Sequence, residues 1–327
     1  VSSGPTLVRA EGLTRVFQVP RGWWRAPREV RAVDGVSLEI PRGHTLGLVG
    51  ESGCGKSTVG RLLLGLIPPT SGRVTLGEVE VTAQRGEALR RLRGRMQMVF
   101  QDPSAALNPR MRLLDAVAEP LLAHRPALRR RDREALAGAM LARVGLGPEL
   151  ASRWPGQLSG GQRQRVVIAR ALVLEPQFVF ADEVVSALDV SVQAQIVNLF
   201  AELQAERALT VLFVSHDLRV VEHLAHEVGV MYLGRLVERA PRAVLYARPR
   251  HPYTQALLSA VPDPRPGRPK RIVLEGEVGE PGPAGGCAFL PRCPLAKGLD
   301  GAQRQRCLRE RPTLRTQGEA EVACHFG

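Results

Sequence analysis

The segment Gly50-Glu51-Ser52-Gly53-Cys54-Gly55-Lys56-Ser57-Thr58 fits G-x-x-x-x-G-K-[ST]. That spacing lets a backbone curl so that successive N–H groups point inward at phosphate oxygens. Lys56 brings a compact positive charge toward the β- and γ-phosphates of a nucleotide, and Ser57 offers a hydroxyl to Mg2+. Cys54, inside the loop, reads as a small filler rather than a reactive thiol. A second chemical feature is Phe178-Val179-Phe180-Ala181-Asp182-Glu183, an apolar run that ends in two acids. Asp182 is suited to complete a Mg2+ shell, and Glu183 to polarise an attacking water as general base. Four thiols form a third group: Cys287, Cys293, Cys307 and Cys324, with five, thirteen and sixteen residues between them. Four thiolates suit one tetrahedral Zn2+ or a four-iron cluster, and the spacing leaves free thiols open as well. His325, beside Cys324, is a spare donor that reads as a bystander.

These groups need elements to hold them. Thr45–Val49 is a compact apolar strand entering the glycine loop, and a helix from the loop to about Leu66 is stopped by Pro68-Pro69. Leu7-Val8 and Val36–Ile40 read as short strands. Helix-period apolar positions from about Leu113 to Val144 read as a small helical insert. A helix from near Gln162 to Leu174 then leads to the buried strand Phe178–Ala181, the helix Val192–Glu206 and the strand Thr210–Val214. Alternation of this kind predicts an α/β core with a mainly parallel sheet. From about Pro241 the texture changes to a Pro- and Gly-rich segment that carries four of the five cysteines. Trp23 and Trp24 fall in a Pro/Arg-rich stretch that reads as an exposed hairpin tip, with a partner or lipid contact as the alternative.

Composition bounds what these parts belong to. The chain has 327 residues, enough for about two domains. Its 45 Lys+Arg against 32 Asp+Glu give a net charge of +13, carried almost wholly by Arg. Such a charge speaks to association, including with nucleic acid or acidic membranes, and not to fold. The apolar runs are far shorter than the ~20 residues needed to span a bilayer. No secretory pattern opens the sequence, so the five cysteines are expected in a reducing, cytoplasmic compartment.

Leu158-Ser159-Gly160-Gly161-Gln162 changes the scale of the inference. Between the glycine loop and the Asp182-Glu183 strand, it makes the chain resemble the nucleotide-binding subunits of ATP-binding-cassette (ABC) systems. The resemblance implies a P-loop NTPase of ABC type. Its mainly parallel sheet core is joined by an antiparallel β part, a helical subdomain at about 103–157 and a small cysteine-containing C-terminal extension. The implied division is a cassette over 1–240 and an extension over 241–327. It also implies a head-to-tail dimer, in which Ser159, Gly160, Gly161 and Gln162 close over ATP held by the partner's phosphate loop. Phe17 falls where the family stacks an aromatic on adenine, a core aromatic being the alternative. Gln101 matches the glutamine that touches Mg2+ and the attacking water. Asp189 lies in the loop that crosses the dimer interface, and His216 matches the switch histidine at the γ-phosphate. The family's usual proline after the Glu183 position is replaced by Val184, which frees φ there.

Met96–Pro103, Leu107-Asn108-Pro109-Arg110, Leu188–Gln195 and His251–Leu258 narrow the resemblance to ATPase subunits of oligopeptide/dipeptide importers. This narrower resemblance implies an ATPase coupled to solute import, with ATP and Mg2+ as cofactors. Its partners would be a second, non-identical or identical ATPase subunit, two membrane permeases and an extracytoplasmic solute-binding protein. Its place would be the cytoplasmic face of the inner membrane. A nickel chelate or glutathione-like solute would suit the same machinery. The family's four-cysteine tail is associated with a [4Fe–4S] cluster in some members, Zn2+ being the alternative here. A soluble ABC ATPase acting on nucleic acid is the rival reading that the positive charge allows, but no coiled coil, zinc-finger insert or second cassette accompanies it.

Overall fold

A computed structural model describes residues 4–20, 27–186, 188–261, 271–276 and 282–327. The Trp23-Trp24 tip lies outside them. Among the described residues, twelve strands form two sheets. The smaller is antiparallel, in the order β2 (Arg28–Pro41), β1 (Thr6–Val19), β4 (Ser71–Leu76) and β5 (Val79–Glu80). The short strands expected near Leu7 and Val36 are the buried start of β1 and the buried end of β2, each a strand of 14 residues. Their polar ends show no apolar pattern and are held by hairpin pairing as far as Val19 and Arg28.

The larger sheet places β3 (Thr45–Val49) between β8 (Thr210–Val214) and β9 (Glu227–Tyr232), with β7 (Phe178–Asp182) and β6 (Met96–Val99) beyond β8. These five strands are parallel. Every residue of β3, β7 and β8 is buried, which is why their sequences are apolar runs with a polar residue only at one end, Thr45, Asp182 and Thr210. On the other side of β9, β10 (Arg235–Pro241), β12 (Ala320–Val322) and β11 (Arg315–Gln317) continue the same sheet in antiparallel fashion. The C-terminal segment therefore extends the cassette's own sheet rather than standing apart from it.

Helix α1 (Lys56–Leu63) follows the glycine loop and α2 (Gly86–Arg93) precedes β6. The expected end of α1 at Leu66 is too late: the chain leaves the helix at Leu64, and Gly65 adopts φ +60°. The insert carries α3 (Pro103–Ala106), α4 (Leu113–His124) and α5 (Arg130–Arg143), which pack on α6 (Gly160–Leu172). Then come α7 (Val190–Arg207), α8 (Leu218–Leu224), α9 (Arg242–Ala247), α10 (Pro252–Ser259) and α11 (Gly301–Arg309). One apolar core lies between the small sheet, α1 and the large sheet, built around Leu13, Leu38, Leu62 and Phe180. The other joins the helical insert, α6, α7 and the C-terminal residues Tyr253 and Phe289. Among the described residues no helix is long and apolar enough to cross a membrane.

Candidate functional site

The glycine loop needs its glycines. Gly50, Gly53 and Gly55 have φ of +147°, +78° and +108°, a region that disfavours a side chain. A Cβ at Gly50 would lie 2.2 Å from the Met231 carbonyl oxygen, and one at Gly55 would lie 2.1 Å from that of Ala32. The loop is thus wedged between β9 and β2. It delivers Lys56 and the N-terminus of α1, whose first turn contains no acid and no side-chain cap. That leaves its N–H groups and partial positive charge for an anion. Lys56 is buried, and its Nζ donates to the carbonyls of Gly50 at 2.8 Å and Glu51 at 2.9 Å. The cation is therefore folded over its own loop, ready to exchange carbonyls for phosphate oxygens. Cys54 is buried against Lys56 at 3.8 Å, and burial pushes its thiol up, as suits a filler.

Ser57, on α1, donates to Asp182 Oδ1 at 2.7 Å, so the loop hydroxyl and the strand-end carboxylate stand side by side. Burial pushes the Asp182 carboxyl up, opposed by the Ser57 hydrogen bond and by Arg61 and Lys56. A hard divalent cation would relieve that desolvation, and a hydroxyl beside a carboxylate is the oxygen donor set it takes. The spacing of α1 from β7 depends on Gly60, where a Cβ would fall 2.3 Å from the Phe180 ring.

The next acid collects the remaining polar groups. Glu183 has φ +46° and sits in a turn whose ends are fixed by Glu183 N–H to the Val214 carbonyl and Ser186 N–H to the Glu183 carbonyl. Val184 and Val185 fill the two central positions of that turn and are buried. Packing thus holds the turn without the proline that commonly occupies its first central position. Gln101 Nε2 donates to Glu183 Oε2 at 3.1 Å, and His216 Nδ1 stands 3.4 Å from the same oxygen. Three separate strand ends, those of β6, β7 and β8, therefore bring Gln101, Glu183 and His216 to one carboxylate beside Asp182.

The other expected residues lie elsewhere. Ser159 caps α6: its Oγ accepts from Gln162 N–H at 3.2 Å, while Gln162 Oε1 accepts from Ser159 N–H at 3.0 Å. Gly161 lets α6 approach α7, since a Cβ there would lie 2.4 Å from Val192 Cγ1. Asp189 caps α7, accepting from Val192 N–H at 2.9 Å. Among the described residues no hydrogen bond or ion pair links Ser159, Gly160, Gly161, Gln162 or Asp189 to the Lys56 loop of the same chain. Phe17, half-buried on β1 opposite Val30, carries the Arg15 guanidinium 4.6 Å above its ring, so it is a hairpin aromatic and not a core one.

Cys287, Cys293, Cys307 and Cys324 line one cavity of about 20 Å3 together with His325. All four are free, and burial pushes Cys287 up to about 11 and raises Cys293 and Cys307. As arranged, no group of three or more His, Cys, Asp or Glu among the described residues could hold a metal ion. The thiols gather as the spacing allows, but they do not form the expected metal group.

Sequence reasoning missed one pair at the loop. Arg292 forms a two-pronged ion pair with Glu51, at 2.7 and 2.8 Å across 241 positions. No local pattern could have signalled it.

The ABC transporter family profile matches residues 33–186, and that of the oligopeptide/dipeptide transporter C-terminal region matches residues 237–298. The chain is 51% identical to the "Probable peptide ABC transporter ATP-binding protein y4tS" of Sinorhizobium fredii, over 98% of this chain and 89% of that protein. It is 48% identical to the di/tripeptide transport ATP-binding protein DppF of Pseudomonas aeruginosa, over 98% and 97%. A dimeric post-hydrolysis state of the ATP-binding cassette MJ0796 bound to ADP and Pi superposes with a TM-score of 0.65 at 29% identity, covering 72% of this chain and 99% of that one. With a glycine loop, an acid pair and a Ser-Gly-Gly-Gln helix start in their cassette positions, and relatives matching along nearly its whole length, the chain belongs to the ATP-binding subunits of ABC transporters, in the oligopeptide/dipeptide importer branch.

Proposed function

We propose that this chain hydrolyses ATP to energise peptide import, with Glu183 as the general base. The observation that carries the assignment is the convergence of Gln101 and His216 on the Glu183 carboxylate, next to the Ser57–Asp182 pair. In this reading backbone N–H groups of the loop from Gly50 to Thr58, apart from that of Glu51, which Tyr253 holds, bind the phosphates with Lys56, and Phe17 stacks on the adenine. Ser57, Asp182 and Gln101 would hold Mg2+, which when bound would neutralise charge on the β- and γ-phosphates. Gln101 orients the carboxylate and the attacking water, Glu183 takes the water's proton, and His216 contacts the γ-phosphate.

The Ser159–Gln162 helix start and Asp189 serve the loop of a second ATPase subunit, identical or not. The Ser159–Gln162 capping box supports that division, because it opens α6 as a second helix N-terminus with which a partner's phosphate could be met. The cassette spans residues 1–240, with the insert at 103–157 as the coupling surface for two permeases, and 241–327 forms the extension. An extracytoplasmic solute-binding protein delivers a peptide, and the chain sits peripherally on the inner face of the cell membrane. The extension's cysteines would be the ligands of a [4Fe–4S] cluster, or of Zn2+, on the chemistry of four thiols around one cavity, although as arranged here they do not form that metal group.

The test is E183Q in the assembled transporter. Removing the base while keeping the Gln101 contact should lower ATP turnover by roughly 10²–10⁴-fold and leave MgATP binding intact. Turnover within threefold of wild type would refute the assignment.

A further inference from the structure

The motif His251-Pro252-Tyr253-Thr254 and the turn between Cys287 and Cys293 meet at the phosphate loop. Tyr253 is fully buried, and its Oη accepts from the Glu51 backbone N–H at 2.9 Å. Arg292 grips the Glu51 carboxylate in two prongs, with only 4% of its side chain exposed. The Glu51 carbonyl in turn accepts from Lys56. Every polar handle of this loop residue is therefore occupied, two of them by the C-terminal segment. Tyr232, Tyr253 and Phe289 pack edge-on or tilted at 4.9–5.4 Å between centroids, and Arg292 lies 6.0 Å from the Tyr232 ring. That aromatic cluster fixes where the guanidinium stands.

We propose that Arg292, supported by Tyr253, is a positioning residue for nucleotide binding. It neutralises the Glu51 carboxylate beside the phosphate-binding loop and holds the loop in its receptive shape. The chemistry is electrostatic. Glu51 is an acid inside a loop that must receive a polyphosphate, and like charges at close quarters disfavour the bound state. Paired with Arg292, the acid adds no net charge; unpaired, it repels each phosphate. This inference rests on the reading of the Lys56 loop as the nucleotide site.

The experiment is titration calorimetry of the full chain with MgATP and with adenosine, for wild type, R292M, R292K, E51Q/R292M and Y253F. R292M should weaken MgATP roughly tenfold, the order expected from one uncompensated charge near a polyanion. It should weaken adenosine, which has no phosphate, less than twofold. R292K should fall between wild type and R292M, because a lysine keeps the charge and loses the two-pronged geometry. E51Q/R292M, which removes both charges, should return MgATP affinity to within threefold of wild type, and Y253F should weaken it mildly. A merely structural Arg292 would penalise ATP and adenosine alike and would not be rescued by the second substitution; either outcome overturns the proposal. If R292M does not fold, the R292K and E51Q/R292M comparisons decide the matter alone. Wild-type protein that binds no MgATP would refute the nucleotide reading, whereas wild-type binding matched by R292M would refute only the role of Arg292.

Discussion

Replacing Gly60 by alanine tests whether one packing contact sets the spacing of Ser57 and Asp182, the proposed Mg2+ ligands. Gly60 lies in α1, one turn beyond Lys56 and Ser57, and faces Phe180 on β7, two residues before Asp182. A Cβ there would meet Cζ, Cε1 and Cε2 of the ring at 2.3–2.4 Å. Reaching the 3.4 Å of ordinary contact requires a movement of about 1.1 Å. The ring cannot supply it alone, because Phe180 is fully enclosed, and Val59 and Leu62 anchor the helix on either side. Overpacking of this kind costs roughly 1–3 kcal/mol, offset by about 1 kcal/mol of helix propensity gained over glycine. The net loss of stability is therefore about 0–2 kcal/mol. The functional loss should be larger, since the same movement separates Ser57 from Asp182, now 2.7 Å apart. A misplacement of about 1 Å at reacting groups costs on the order of 10²-fold in rate. G60A should keep its fold in urea unfolding but lose 10–100-fold in ATP turnover at saturating MgATP, within that order. G60A/F180L, with a shorter side chain in the way, should recover part of the loss relative to F180L. A folded G60A turning over within threefold of wild type would refute the claim that this contact sets the ligand spacing.

Two further outcomes concern the C-terminal segment. His251 caps α10 with Nδ1, accepting from Tyr253 N–H, and burial lowers it from 6.5 to about 3. The unfolded chain gains this proton near pH 6.5 and the folded chain only near pH 3, so the stability is complete above 6.5 and is lost as the pH falls between those values. The slope reaches about 1.4 kcal/mol per pH unit. Buried Glu238, which accepts from the His251 and Arg250 N–H groups, is shifted up and works in the opposite direction at the acidic end. H251N keeps a capping acceptor without the titration, so its urea midpoint should fall less than that of wild type between pH 7.5 and 5.5. Equal slopes would refute the assignment. For the cysteines, anaerobically purified protein should contain iron and acid-labile sulfide in near-equal amounts; zinc alone would refute the cluster and leave the tetrahedral site.

The parts of the site that the sequence displayed are those whose neighbours in sequence are also their neighbours in space. The glycine loop, its strand and its helix occupy one continuous stretch, and β3, β7 and β8 announce themselves because full burial leaves no polar position to interrupt the run. Ser159 and Gln162 were readable as a family resemblance, but their local role was not: the helix expected from near Gln162 begins at Gly160, with Ser159 and Gln162 forming its capping box. The strands β11 and β12 were not readable: three residues each, such as Arg315-Thr316-Gln317, have no periodicity of their own and become strands because β10 offers a free edge. Arg292 was equally silent, one arginine among many, given its meaning by a fold that brings it 241 positions back to Glu51.

That return bears on where the ATPase ends. A chain stopped after β10 would retain Lys56, Ser57, Asp182, Glu183 and helix α6. It would lose Tyr253 from the Glu51 N–H, Arg292 from its carboxylate, and β12 from the edge of β10. The edge strand would then present unpaired backbone groups, and the loop would carry a free negative charge where it has to admit a polyphosphate. Glu238 ties the two regions further, because both its oxygens accept backbone N–H groups from Arg250 and His251, at the start of the segment that carries Tyr253. The residues proposed for hydrolysis all lie before residue 241, but the loop that opens them is held in part by Tyr253 and Arg292 beyond it.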